Sequence, residues 1–353
     1  MLKSMVSRSL VLQYDSQAVP LGELLDRQVL ALCEAQRAGD PVAASVLRGT
    51  GGDRGTDEEI LASQLTSQAA RLAVAREHGY ADWAAARAHA DVIVDARFEA
   101  AADAVHWGGF TALRDLLDAH PPLISMRSPF PHHCTLLHYV AANGIEVERQ
   151  LQSPPNAPEV MRLLLDRGAE PDATCDLYGG GSGMTTLCLL VSSCVPFEAG
   201  VQAPLVEVLC GGGAAVNGPD NDGLPLQTAI SFGYTQAAEA LVRCGARVDN
   251  LVFYAALGDL AGVRGCFGDD GRLAPGRVAE DAARAGVPEA DLLEYALGSA
   301  ALHGRREVVE FLLGKGPDLS FAEPSFGATA QGAARYNGHT EIAALIEARL
   351  AHS

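Results

Sequence analysis

The sequence predicts an all-α protein: a solenoid of stacked helix pairs, about six to seven units with some degenerate, preceded by a small helical segment. Three observations carry this prediction. Strings with one shared grammar recur: TLLHYVAANG at 135–144, VMRLLLDRGAEPDA at 160–173, LPLQTAISFGY at 224–234, AAEALVRCGARVD at 237–249, GSAALHGRREVVEFLLGKGPD at 298–318 and GAARYNGHTEIAALIEARL at 332–350. Each reads as a short helix ending in Gly, a tight turn, a second helix, and a Gly or Gly-Ala that leads to the next unit. Such a pair carries an apolar face too large to leave in water and too small to form a core alone, so neighbours must stack. Composition agrees: 48% hydrophobic with only 6% aromatic residues suits close-packed Ala/Leu helices better than a β-sandwich.

Taken in order, residues 1–20 read as a leader. The spacing of Leu21, Leu24, Leu25, Leu32 and Cys33 predicts a helix to Ala38, with Gly39 as its stop and Asp40-Pro41 beyond. GTGGDRGTD (49–57) is a flexible break. Thr56 and Glu59 have capping-box spacing and open a helix to about His78, where Gly79 stops it. Asp82 caps one more short helix containing Trp83. Residues 21–96 therefore form the helical segment and 97–350 the repeat domain. Units begin near Phe98, Thr135, Thr185, Leu224, Leu251, Tyr295 and Thr329; the first and fifth are degenerate. The fifth lacks a hairpin finger, because Asp249 runs almost directly into helix.

On these residues the chain resembles the ankyrin repeat family. That family's pattern has T-P-L-H-x-A-A near the start of a unit, N-G-H between its helices and L-L-L-x-x-G-A at its end. Thr135, Leu137, His138, Ala141, Gly144, Leu163, Leu164, Gly168 and Ala169 match it in one unit. Pro225, Leu226, Ala229, Gly233, Leu241, Gly245 and Ala246 match in another, and Asn337, Gly338 and His339 in the last. The resemblance spans roughly residues 97–350 and implies protein–protein recognition through a concave face. REHGYADWAAARAHA (76–90) is similar to a string that precedes ankyrin arrays in some bacterial proteins, which implies that the two parts belong together. The presence of only two lysines, Lys3 and Lys315, reads as a GC-rich bacterial codon bias.

The pattern is broken by insertions at 145–157, 173–184, 195–203 and 268–290. The gap from Gly144 to Gly168 is 24 residues, and from Cys194, which replaces the helix-1 Gly, to Gly213 it is 19. Insertions map to loops, and loops carry specificity. The first and third of these are expected to project from one edge, which points to residues 130–205 for any specific site.

Forty-four acidic against 26 basic side chains give a formal charge of -18, which disfavours phosphate backbones and argues against nucleic acid. The eight cysteines form no CxxC pair and fall mostly in apolar stretches, as in a reduced cytoplasmic protein. No apolar run reaches membrane-spanning length. His132, His133, Cys134 and His138 are the densest set of metal-ligand types. However, His138 stands where the family's histidine hydrogen-bonds the turn, so neither metal nor cofactor is expected. Gly179–Gly181 has no phosphate-loop pattern around it. Ser192, Ser193 and Cys194 read as helix-end packing, Trp83 and Trp107 as core or interface anchors, and Asn156 as lying close to a helix N-cap. The expected function is a protein-binding module for a neutral or basic partner. The alternative is an enzyme or small-molecule binder with a pocket in repeats two and three, drawn from His133, His138, Tyr139, Asp176, Tyr178 and Gln202.

Overall fold

The structure, a computed structural model, describes residues 18–51, 55–178 and 181–351. Most of the leader, part of the 49–57 break and Gly179 and Gly180 of the glycine run lie outside them. The chain is mostly helical and divides into two compact units, the first ending at Ala214 and the second starting at Ala215.

The first unit opens with a two-stranded ribbon, β1 (Ala18–Pro20) antiparallel to β2 (Ile93–Asp95), that closes a loop of five helices. α1 (Leu21–Arg37) buries the face carrying Leu21, Leu24, Leu25 and Leu32 and ends before Gly39, whose φ is +73°. α2 (Pro41–Gly51) and α3 (Asp57–Ala62) follow, the latter opened by the Thr56–Glu59 capping box. The helix expected from Thr56 to His78 is in fact two, because Thr66 caps α4 (Ser67–Glu77) through the Ala69 N–H. Asp82 caps the short α5 (Trp83–Arg87). These helices share one core, into which Phe130 also inserts.

Beyond β2 the chain runs in helix pairs. An inner row is formed by α6 (Ala96–Trp107), the single 3-10 turn His138–Ala141 and α9 (Thr186–Leu190). An outer row is formed by α7 (Phe110–Ala119), α8 (Ala157–Asp166) and α11 (Gln202–Gly211), with α10 (Cys194–Glu198) leading into α11. The TLLH stretch makes only a 3-10 turn where an α-helix was expected. There Ala142 and Gly144 both take left-handed backbone, φ +48° and +72°, and turn the chain toward residues 145–153. β3 (Thr174–Cys175) and β4 (Met184–Thr185) form the lengthened finger.

The second unit repeats the pairing. Its inner row is α12 (Leu224–Ser231), α14 (Leu251–Leu257), α17 (Leu292–Leu302) and α19 (Ala330–Tyr336); its outer row is α13 (Thr235–Arg243), α15 (Leu260–Gly265), α18 (Arg306–Leu313) and α20 (Thr340–Leu350). Asn250 starts α14 directly after Asp249 by accepting from the Phe253 N–H. The 268–290 insertion is a helix, α16 (Pro275–Ala285), whose Asp281 accepts from the Leu251 N–H. Asn337 binds neighbouring helix ends by donating to the Gly233 and Leu302 carbonyls at 3.0 and 2.9 Å. At Gly304, φ +73°, a Cβ would sit 2.6 Å from the His339 ring, so the turn needs glycine for both backbone and space.

Candidate functional site

The six side chains singled out in the sequence do not converge on one pocket. His138 is buried with both ring nitrogens engaged: Nδ1 accepts from the Thr135 N–H and Nε2 donates to the Ala173 carbonyl at 2.9 Å. The buried Gln202 donates its amide to the Leu190 and Ser193 carbonyls, closing the turn before α11. His133 has left-handed backbone, φ +50°, and offers its carbonyl to Arg127, which also binds the Thr174 carbonyl. The Asp176 N–H donates to the His132 carbonyl, joining two successive fingers. Only Tyr139 and Tyr178 come together, both against the His132 ring, with centroids 5.9 and 5.2 Å from its own.

What gathers around those two tyrosines is a buried polar junction. Residues 145–153 do not project from an edge, as expected of an inserted loop. They dock inward onto the N-terminal helices, where Val147 packs on Gly49 and the Glu148 N–H donates to Glu77. Arg149 is 1% exposed and all five of its N–H donors are used. Nε and Nη2 reach Asp103 at 3.1 and 2.9 Å; Nη1 reaches Glu99 at 2.8 Å and Glu146 at 3.4 Å; Nη2 also reaches the Glu99 carbonyl at 3.2 Å. Its guanidinium lies 5.2 Å from the Tyr139 ring centroid. Burial of this depth disfavours charge except where a partner answers it. Burial pushes the Glu77 carboxyl up to about 8, and Glu99 up to about 7 in spite of Arg149. Burial raises Glu146 as well, but His132 and Arg149 overcome it and hold that carboxyl down near 2. Burial also pushes His78 and His106 down to about 4, so both are neutral.

The REHGY string builds this junction. Arg76 donates to the Thr50 carbonyl, Glu77 accepts from Glu148, and His78 stacks on Phe130 at 4.0 Å while Nε2 meets Gln28 Oε1 at 2.7 Å. Gly79, φ +80°, lies under Tyr178, where a Cβ would stand 2.2 Å from the ring. Asn156 precedes α8 as expected, but its amide donates to the Gly108 carbonyl and makes no cap bond. The junction is closed to solvent and its ion pairs centre on Arg149, while Glu77 Oε2, Glu99 Oε1, Glu146 Oε2 and the Tyr139 and Tyr178 hydroxyls are buried without a hydrogen-bond partner.

Cys134, His138 and Cys175 are buried with ligand atoms within 4.8 Å of one another. The Cys134 hydrogen bond, together with His138, pulls the Cys175 thiol down to about 5 against its burial; Cys134 is pushed far up by burial. A metal here would have to break one of the two His138 bonds and find further donors. Two thiols and an imidazole are donor types that zinc accepts, but with both His138 nitrogens engaged the three side chains tie the first finger to the second.

A cavity open to solvent lies in the second unit and measures about 620 Å³; a more open one of about 430 Å³ lies in the first unit beside Leu117, Ile124 and Arg167. The walls of the larger come from the inner row: Ile230 and Phe232 at the end of α12, Phe253 on α14, Leu297 and Leu302 on α17, and Tyr336 on α19. Phe321 and Phe326 from the segment before α19 complete it, and the inserted helix supplies Ala285, Gly286 and Val287. Phe326 is 62% and Tyr336 81% exposed. Glu294, Asp318 and Glu323 stand among these residues. None of this was visible in the sequence, since the walls are spread over more than a hundred positions. The available signal was the set of large aromatics at helix ends and in the loop before Thr329.

No family model matches the sequence, and no curated protein matches it. Among solved structures, the crystal structure of the human ASB11 ankyrin repeat domain aligns with 72% of this chain and 96% of its own, at 17% identity and a TM-score of 0.37. A similarity of that size fixes neither the family nor the activity of this chain.

Proposed function

We propose that the chain is a protein-binding module of ankyrin type, which holds a neutral or basic segment of its partner in the groove of the second unit. The observation that carries this reading is the apolar cavity of about 620 Å³, open to solvent, lined by aromatic side chains and edged by carboxylates. Apolar surface left uncovered beside helix ends is what an extended partner segment buries. The mid-chain loops contribute less than their length suggests, because residues 145–153 are spent on the junction with the N-terminal helices. The enzyme alternative requires a pocket in repeats two and three. His138 and Gln202 are engaged in packing there, and no observation favours catalysis.

The test is affinity capture with three baits: the wild type, a Phe326→Ala/Tyr336→Ala variant, and a variant with residues 195–203 shortened. A partner held by the wild type and the loop variant but lost by the groove variant supports the reading. Partners retained by the groove variant and lost on shortening the loop would move the binding surface to the first unit.

A further inference from the structure

The groove's carboxylates differ from one set of acids in the second unit, which pair with arginine: Asp249 with Arg247 and Arg284, Glu239 with Arg305, Asp281 with Arg277, Glu310 with Arg306 and Glu347 with Arg335. Asp222, Asp259 and Asp270 accept from backbone N–H groups, as the groove acids do. Among the described residues, the groove lining holds Glu294, Asp318 and Glu323 and no Lys, Arg or His. Backbone fixes these three acids. Glu294 accepts from the Asp318 N–H at 2.9 Å, Asp318 from the Ser320 N–H at 2.8 Å, and Glu323 from the N–H groups of Ser325 and Phe326 at 2.7 and 2.8 Å. The bonds from Ser320 hold Asp318 below its ordinary range. The negative field reaches the cavity wall: burial first, then Glu323 and Asp291, push the Tyr295 hydroxyl up. Aromatic rings stand close by, Phe232 edge-on to Phe326 at 5.9 Å and Tyr295 tilted on Phe321 at 5.4 Å.

We propose that this groove takes the alkylammonium side chain of a lysine flanked by apolar residues in the partner segment, an inference that rests on the groove being the docking site. An apolar wall suits the lysine stem, ring faces attract its ammonium, and the fixed carboxylates supply the missing counter-charge. Arginine fits less well at Glu323, where both oxygens already accept a backbone N–H and a two-pronged guanidinium contact would have to share them. The same unit holds an ammonium of its own in this manner: Lys315 Nζ lies 4.6 and 4.7 Å from the Phe267 and Phe311 ring centroids and donates to the Gly271 carbonyl.

The test uses short fluorescein-labelled peptides of Leu and Ser with one central Lys, Arg or Gln, titrated against the full chain by anisotropy. The Lys peptide should bind about 10-fold more tightly than the Gln peptide, a preference in the range expected for a partly desolvated ammonium over aromatic rings. Glu294→Gln, which keeps an oxygen for the Asp318 N–H, should reduce the ratio of Lys to Gln peptide affinities to about 2-fold or less. As a check independent of any variant, raising salt from about 0.05 to 0.5 M should shrink the wild-type preference. Equal binding of Lys and Gln peptides overturns the lysine inference and leaves the groove as a docking site. Tighter binding of the Arg peptide overturns the choice of ammonium. If no peptide binds at about 1 mM, both the inference and the docking reading fail.

Discussion

The two units treat the same residue types in opposite ways. In the first, Glu99, Asp103 and Glu146 converge on Arg149 out of reach of water; in the second, Glu294, Asp318 and Glu323 edge an open cavity with no cation among its lining residues. What separates a structural acid from a recognition acid here is where its counter-charge comes from. The first unit supplies it from its own chain and the charges become part of the fold. The groove of the second unit has no cation among its lining residues, and on the proposed reading a partner supplies it.

This contrast can be broken most forcefully at Arg149. Arg149→Met leaves three buried carboxyl groups without their cation and should cost about 3–5 kcal/mol of first-unit stability. Both tryptophans of the chain, Trp83 and Trp107, lie in the first unit, so tryptophan fluorescence in urea reads that unit separately. An unchanged midpoint would mean that the junction is not what holds the unit together.

Gly79→Ala should cost about 2–4 kcal/mol in the same assay. It forces a left-handed residue and drives a methyl into the Tyr178 ring. Changing Tyr178 to Ala in the same chain should recover the steric part of that loss and not the backbone part.

A pH series sharpens the comparison further. Glu77 and Glu99 have folded values above their unfolded ones, so the stability they favour is full below about pH 4.5 and is lost as pH rises through about 7 and 8. His78 and His106 are depressed, so their contribution is full above pH 6.5 and is lost as pH falls toward about 4. Between 4.5 and 6.5 the carboxyl and histidine trends oppose one another. Above 6.5 the carboxyl loss continues, opposed by the Cys175 thiol, whose folded value of about 5 makes its contribution grow as pH rises toward 9. Glu77 alone should cost about 2 kcal/mol between pH 6.5 and 8.5, so Glu77→Gln should change the stability difference between those two pH values by that amount relative to the wild type.

The smallest expected effect is on the other side of the contrast. Phe326→Ala should change second-unit stability by less than about 0.5 kcal/mol, measured by amide hydrogen exchange, because the ring is mostly exposed. A large loss of protection would show that the ring belongs to the core.

Local grammar was legible because it is written in neighbours. Thr56 with Glu59, Asp82 before Trp83, and Gly39 after α1 each act within a few positions, and the sequence shows them directly. The junction was illegible because its partners are remote: Arg149 lies 50 positions from Glu99 and 46 from Asp103. In isolation IEVERQ reads as a solvated loop, since nothing in it marks an arginine that will be wholly enclosed. The length of the insertion was visible and its direction was not. The groove was hidden for a related reason: Phe232, Tyr295, Phe326 and Tyr336 belong to different repeats, and only the stacking brings them to one surface.

The bond from the Glu148 amide to Glu77 spans 71 positions. During vectorial synthesis at roughly 5–20 residues per second, the N-terminal helices wait about 4–14 s after their own completion for the segment that closes over Glu77 and His78. Over that interval the faces carrying Gln28, Glu77 and His78 are open, and so is the pocket that Phe130 fills. The N-terminal helices of a nascent chain are therefore a transient client surface for holding factors, and a stall placed between codons 100 and 145 should expose them to proteolysis that the finished chain resists.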